Sequence, residues 1–327
     1  MQIPFCPVLL NPHMTQYRST QMKYRSLFAA LGALLAVGFV AHALAETSRG
    51  IQVIGVENEY ADVLAQIGGK FVEVQSILTD PNTDPHSFEA SPKLARQIAA
   101  AQLIVVNGVG YDAWADKLIS AAPKPNRKVI NVQNLLGLPD DTANPHLWYD
   151  PKTMPAVAKA VADALAELKP SEAAYFHANA KTFTTSLNPW NEAIAAFKSK
   201  YANTPVATTE PVADYLLQAM GFKLMTPFSL EKAIMDGTDP APQDIATQNA
   251  LFADGKVKVF AYNQQVTDSL TKSFMDAAQA AKIPVVGVYE TMPTPGYTYQ
   301  TWMMAEVVAL EKAVADKVST ESLQKGQ

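Results

Sequence analysis

Short β-rich apolar runs alternate with helix-patterned stretches twice along this chain, and a helix-favouring stretch broken by prolines separates the two series. The first series is IQVIGV (51–56), FVEVQSIL (71–78), LIVVN (103–107) and KVINV (128–132). The second is PVATT (205–209), VKVFAY (257–262) and PVVGV (284–288). Strands that alternate with helices pair in parallel, because the chain must cross back over the sheet between them. The pattern predicts an α/β protein of two lobes with parallel sheets. Residues 46–151 form the N-terminal lobe and 203–327 the C-terminal lobe. The Ala-rich stretch 152–202 between them predicts a long connecting helix, broken and restarted at Pro170–Ser171 and kinked at Pro189. The last helix is expected from about Thr298 to Asp316.

Local signals sharpen this outline. Gly68-Gly69 stops the helix that starts near Asn58. Ser91 caps the next one, with Pro92 in its first turn. No repeat of 20–50 residues and no low-complexity tract is present.

The first 45 residues stand apart from this pattern. MKYR at Met22 is basic, an apolar run follows, and ALAET closes it, which predicts a secretory signal cut after Ala45. The apolar run is shorter than the roughly 20 residues of a spanning helix. Residues 1–21 precede that signal, so Met22 is an alternative start to Met1. Cleavage removes Arg18, Lys23 and Arg25 and no acid, moving the net charge from −5 to −8. An acidic balance of that size argues against a nucleic-acid surface. Cleavage also removes Cys6, the one cysteine, leaving no thiol for a disulfide, a thiolate site or a lipid anchor. A periplasmic protein that is not a lipoprotein is expected, and a monomer.

In open parallel sheets, ligands bind beyond the carboxyl ends of the strands. Four metal-capable side chains fall there. His86, in DPHSFE, follows the second strand, and His146, in NPHLWYDP, follows the fourth. Glu210 directly follows PVATT, and Glu290 directly follows PVVGVY. Facing lobes would bring two imidazoles and two carboxylates together, a donor set suited to a divalent first-row transition metal. Proline before each histidine restricts the backbone and pre-aims the ring. Asp84, Glu89, Asp150 or a backbone carbonyl could hold the second ring nitrogen. Each residue also has a plainer reading. Asp-Pro and Asn-Pro mark turns, Glu210 could cap a helix beginning at Pro211, and Glu290 could be a solvated loop acid. His177 reads as an ordinary helical histidine. Gly108, Gly110 and Ala113 match G-x-G-x-x-A, but no acid stands near residue 130 to take a ribose, so a tight turn explains them.

In order along the chain, DPHSFE, NPHLWYDP, IGG, NGVGYDAWADKL, TTEPVADYLLQAMGF and VVGVYETMPTPGYTYQTWM resemble the phrases of the metal-binding substrate-binding proteins of zinc/manganese ABC importers, the TroA-like or cluster A-I family. The resemblance covers nearly all of the chain after residue 45. It implies two lobes bridged by one long rigid helix, with a single metal ion in the interlobe cleft. It implies His86, His146 and Glu210 as ligands, with Glu290 where the family usually has Asp and with Asp268, Asn263 and Asp239 as alternatives for that fourth place. It further implies a non-enzymatic protein that captures one divalent ion (manganese, iron(II) or zinc) and delivers it to an inner-membrane ABC permease and its ATPase. The family's long His- and acid-rich loop is missing, and Glu stands third, which tilts the expectation toward manganese or iron(II). Rival readings are a metal-dependent hydrolase using a metal-bound water, and a binding protein for haem or a metal chelate.

Overall fold

The first strand, β1 (Ile51–Glu57), runs directly into α1 (Asn58–Gly68). A computed structural model describes residues 1–2, 50–82, 84–293 and 295–323; the signal segment and its cleavage point lie outside the described residues. Helix α1 stops because Gly69 takes a φ of 52°, where a side chain is disfavoured, and turns its N–H back to the carbonyl of Ala65. There follow β2 (Val72–Leu78), α2 (Pro92–Ala100), β3 (Leu103–Val106), α3 (Ala113–Ala121), β4 (Lys128–Asn131) and the single turn α4 (Val132–Leu135). The strands form one parallel sheet in the order β2-β1-β3-β4. β3 is buried along its whole length, as expected of a central parallel strand covered on both faces. Ser91 caps α2 by accepting from Leu94 N.

Residues 152–202, expected as one connecting helix broken at Pro170–Ser171 and kinked at Pro189, are three helices: α5 (Thr153–Leu168), α6 (Ala173–Ser186) and α7 (Asn188–Tyr201). Pro170 makes the first break. Helix α5 folds against α6 and α1, so it covers the first sheet instead of leaving it. The long connection is α6 followed by α7, residues 173–201, about 43 Å at the rise of an α-helix. Its interruption falls at Leu187. Pro189 has no N–H to give the preceding turn, and Leu187 N turns to the closer carbonyl of Thr184. Thr184 and Thr185 hydroxyls bond back to carbonyls four residues earlier, which slightly destabilises a helix.

The second lobe repeats the plan of the first: β5 (Pro205–Thr208), α8 (Asp214–Ala219), β6 (Lys223–Leu224), α9 (Phe228–Met235), α10 (Pro242–Ala253), β7 (Val259–Asn263), α11 (Ser269–Ala280), β8 (Val285–Val288) and α12 (Tyr299–Ala315). Its parallel sheet has the order β6-β5-β7-β8, the same arrangement as in the first lobe. β6 and α9 carry too few patterned residues to stand out in the sequence. Helix α12 starts on a reciprocal cap between Thr298 and Thr301 and ends at Ala315 with Asp316 as its C-cap, close to expectation.

Both lobes belong to one compact unit beginning at Ile51. Each sheet has a smaller core of its own, around Ile54, Ile98 and Ile104 in the first and Phe252, Phe260 and Phe274 in the second. A larger core, containing Trp148, Tyr149, Trp190, Tyr299 and Trp302, runs through both lobes and the helices between them. The segment after β8 is gripped from the first lobe. The Asn58 side chain exchanges two hydrogen bonds with the Met292 backbone, at 2.8 and 2.9 Å, and the Tyr149 hydroxyl donates to Tyr289 O at 2.9 Å. The carboxyl ends of the two sheets are thereby held facing each other.

Candidate metal centre

Three of the four residues read from the sequence meet. One donor atom from each of His86, His146 and Glu290 lies within 4.8 Å of the others. His86 Nε2 is 3.2 Å from Glu290 Oε2, and His146 Nε2 is 3.3 Å from the same oxygen. Glu210 stands beside this trio without being part of it. The Asn263 amide joins it to the group, donating to Glu290 Oε1 at 2.7 Å and to Glu210 Oε1 at 3.1 Å.

Local structure explains how each side chain is presented. His86 sits in a one-turn 3-10 helix, Pro85–Ser87, whose backbone is closed by Asp84 accepting from His86 N at 2.8 Å. Its side chain is 24% exposed, making it the solvent-facing member of the trio, with His146 and Glu290 fully buried. His146 packs edge-on against Trp148 and Tyr111. Glu290 follows β8, and Tyr111 from the first lobe donates its hydroxyl to Glu290 Oε2 at 3.0 Å. Glu210 does not cap a helix at Pro211, because α8 begins only at Asp214.

The tautomer of His146 follows from its neighbours. Asn144 Nδ2 donates to Pro211 O at 2.7 Å, so Asn144 Oδ1 faces the ring, 2.8 Å from His146 Nδ1. An oxygen there can only accept, which places the ring proton on Nδ1 and leaves Nε2 with a bare lone pair. That lone pair points at the Glu290 carboxylate. Burial pushes the His146 pKa down, against the pull of Glu290, and keeps the ring neutral. The His86 pKa, lowered by burial, is raised more by Glu290 and by Asp84 and Asp236, and its net direction is up. Glu290, though fully buried, is held well below the ordinary carboxylate range by its histidine contacts; with His146 bare at Nε2, the donating ring is His86. Glu210 moves the other way, pushed well up by burial and then by the charge of Glu290.

Two carboxyl groups and two imidazoles crowded together form a donor set that a divalent cation would stabilise. Glu210 Oε2 makes the same point, being buried with no hydrogen-bond partner. The 3.2 and 3.3 Å edges agree with a tetrahedron of bonds about 2.0 Å long, whose edge is roughly 3.3 Å. In front of His86 opens a cavity of about 720 Å³, lined by Asp84, Asp236, Asp239 and Asp268 and, among the described residues, by no Lys or Arg.

The remaining sequence candidates have other work. Asp268 caps α11, and Asp239 stands in the cavity wall. Asn263 is a carboxylate partner. Asn144, not Asp84, Glu89 or Asp150, holds the second nitrogen of His146. His177 is half exposed and pairs with Asp163 at 3.8 Å. Gly108 and Gly110 have φ of 83° and 77°, and Asp112 accepts from Asn107 N and Gly108 N, a tight turn as read from the sequence. Sequence reasoning missed Tyr111 and Asn144. For Asn144, the Asn two residues before a histidine was an available signal, since Asn readily bonds the backbone two residues on.

Two parallel α/β lobes facing each other across imidazoles and carboxylates are the build of a metal-binding substrate-binding protein. The chain belongs to the ZnuA family, described as the periplasmic zinc-uptake complex component A, which matches residues 56–313. It is similar to the manganese ABC transporter substrate-binding lipoprotein PsaA of Streptococcus anginosus, 25% identical over 262 residues, covering 74% of this chain and 80% of that one. It is similar also to the iron-binding protein YfeA of Yersinia pestis, 22% identical over 240 residues, 69% of this chain and 74% of that one. The fold matches the periplasmic zinc-binding protein TroA from Treponema pallidum with a TM-score of 0.70, at 19% identity, covering 82% of this chain and all of that one.

Proposed function

We propose that this protein captures one divalent transition metal ion, manganese, iron(II) or zinc, outside the cytoplasm and delivers it to an ABC-type membrane permease driven by its ATPase. His86 Nε2, His146 Nε2 and Glu290 Oε2 are the donors, with Glu210 Oε2 completing the set. The observation that carries this reading is the convergence of one donor atom each from His86, His146 and Glu290 within 4.8 Å of one another. Family membership and the relatives' names, which specify manganese and iron, support the cargo class.

Three donors converge, and Glu210 moving in as the fourth on metal binding would close the position that an activated water needs, which favours carriage over hydrolysis. No helix among the described residues is long and apolar enough to cross a membrane. We place the chain in the periplasm, released by cleavage after Ala45 and carrying no lipid there. Titration with zinc and with manganese tests the site. The wild type takes up one ion, and His86→Ala loses most of its affinity while keeping its thermal unfolding profile. Wild-type affinity in that variant would remove His86 from the site.

A further inference from the structure

Asn263 ends β7, directly between the two acids of the site. Its own position is over-determined. Its backbone N–H donates to Thr209 Oγ1 at 2.9 Å, and its Oδ1 accepts from Gln265 N at 3.0 Å. A backbone N–H can only donate, so Oδ1 must face Gln265 and Nδ2 must face the carboxylates. Nδ2 has two hydrogens and spends both, one on Glu290 Oε1 and one on Glu210 Oε1. The same atom of each acid is therefore occupied. What remains toward the histidines is Glu290 Oε2, within 3.3 Å of both imidazoles and accepting only one hydrogen bond from a non-histidine group, the Tyr111 hydroxyl at 3.0 Å, and Glu210 Oε2, buried without a partner.

We propose that Asn263 is a specificity-determining positioning residue: by holding Oε1 of both glutamates it restricts each to one metal bond through Oε2, and so limits the ion to four donors. This rests on the capture reading above. A carboxylate free to rotate can give two oxygens to an ion, raising the coordination number to five or six. Zinc accepts four donors in a tetrahedron, whereas manganese takes octahedral oxygen-rich surroundings. An amide that removes the second oxygen of both acids therefore disfavours manganese relative to zinc. It also offsets the carboxylate-rich composition that, read from sequence, leans toward manganese.

Cobalt(II) is the probe, because its visible absorption is intense in tetrahedral sites and weak in five- or six-coordinate ones. The wild-type cobalt complex shows intense bands, and X-ray absorption counts four nitrogen or oxygen neighbours. Asn263→Ala, checked for folding by circular dichroism, shows weak bands, a higher neighbour count and a preference for zinc over manganese reduced about tenfold. An unchanged cobalt spectrum and an unchanged zinc-to-manganese ratio in the folded variant overturn the inference. The neighbour count of the wild type needs no variant: four supports the inference, and six overturns it even if Asn263→Ala does not fold. Failure of the wild type to bind any of the three ions overturns the capture reading and this inference with it. Binding with an unaltered spectrum in the variant overturns this inference alone.

Discussion

Replacing Asn144 with alanine tests the link between a hydrogen bond and metal affinity. The side chain makes three bonds: Nδ2 to Pro211 O at 2.7 Å, and Oδ1 to His146 N and Nδ1 at 2.9 and 2.8 Å. Without it, nothing obliges the ring proton to stay on Nδ1. Glu290 Oε2, 3.3 Å from Nε2, then favours the opposite tautomer, with the proton where the ion requires a lone pair. Ligand-orienting partners of this kind are worth about 10- to 100-fold in affinity, or roughly 1.4–2.8 kcal/mol. Chelator competition measures that loss, and ¹⁵N NMR of histidine-labelled, metal-free protein reads the tautomer directly. Asn144→Asp keeps an acceptor for Nδ1 but cannot donate to Pro211, so it restores the tautomer and most of the affinity. If Asn144→Ala binds metal as the wild type does, or its His146 still shows a bare Nε2, the orienting role is refuted.

Two further outcomes follow from groups around the site. Glu306 is fully buried on α12, where it accepts from Trp302 Nε1 at 3.1 Å and lies 3.3 Å from the Tyr149 hydroxyl oxygen, and burial raises its pKa from 4.5 to about 8. A carboxyl raised in the folded state contributes its full stability below the unfolded value and loses it as pH rises through the folded one. Glu306 should therefore withdraw at most about 5 kcal/mol of stability between about pH 4.5 and 8; Glu306→Gln removes that share of the fall and leaves the share of Asp112, Asp214 and Glu231, which burial also raises, and a melting-temperature gap between variant and wild type that stays constant from pH 5 to pH 9 refutes the assignment. The acidic cavity before His86 should draw cations in, so Asp236→Asn with Asp239→Asn slows metal association severalfold at low salt, with the difference shrinking as salt is added. Stopped-flow rates that are equal at every ionic strength would show that those charges do not steer the ion.

Reading the sequence placed His86, His146, Glu210 and Glu290 at strand ends, where a parallel sheet presents ligands, and three of them converge. The resemblance implied Glu210 as a ligand and left alternatives for the place of Glu290. Glu290, in a place where the resemblance implied Asp, is the acid that both imidazoles face, and Glu210 is the outlying one. The difference arises across the lobes. The grip of Asn58 on Met292 and of Tyr149 on Tyr289 draws the Glu290 segment toward the first lobe, and no local pattern in either segment announces those contacts.

What the sequence determined by itself is what short-range sterics decide. Apolar runs made buried strands, Gly69 stopped α1, Pro170 ended one helix and Pro189 interrupted another, because φ, the missing proline N–H and burial act within a few residues. Only the tertiary structure decided that α5 turns back on α6 and which carboxylate meets the histidines. It alone decided that Asn144 and Asn263 orient the donors. Those partners lie on separate loops and strand ends, and a core shared by both lobes brings them into contact.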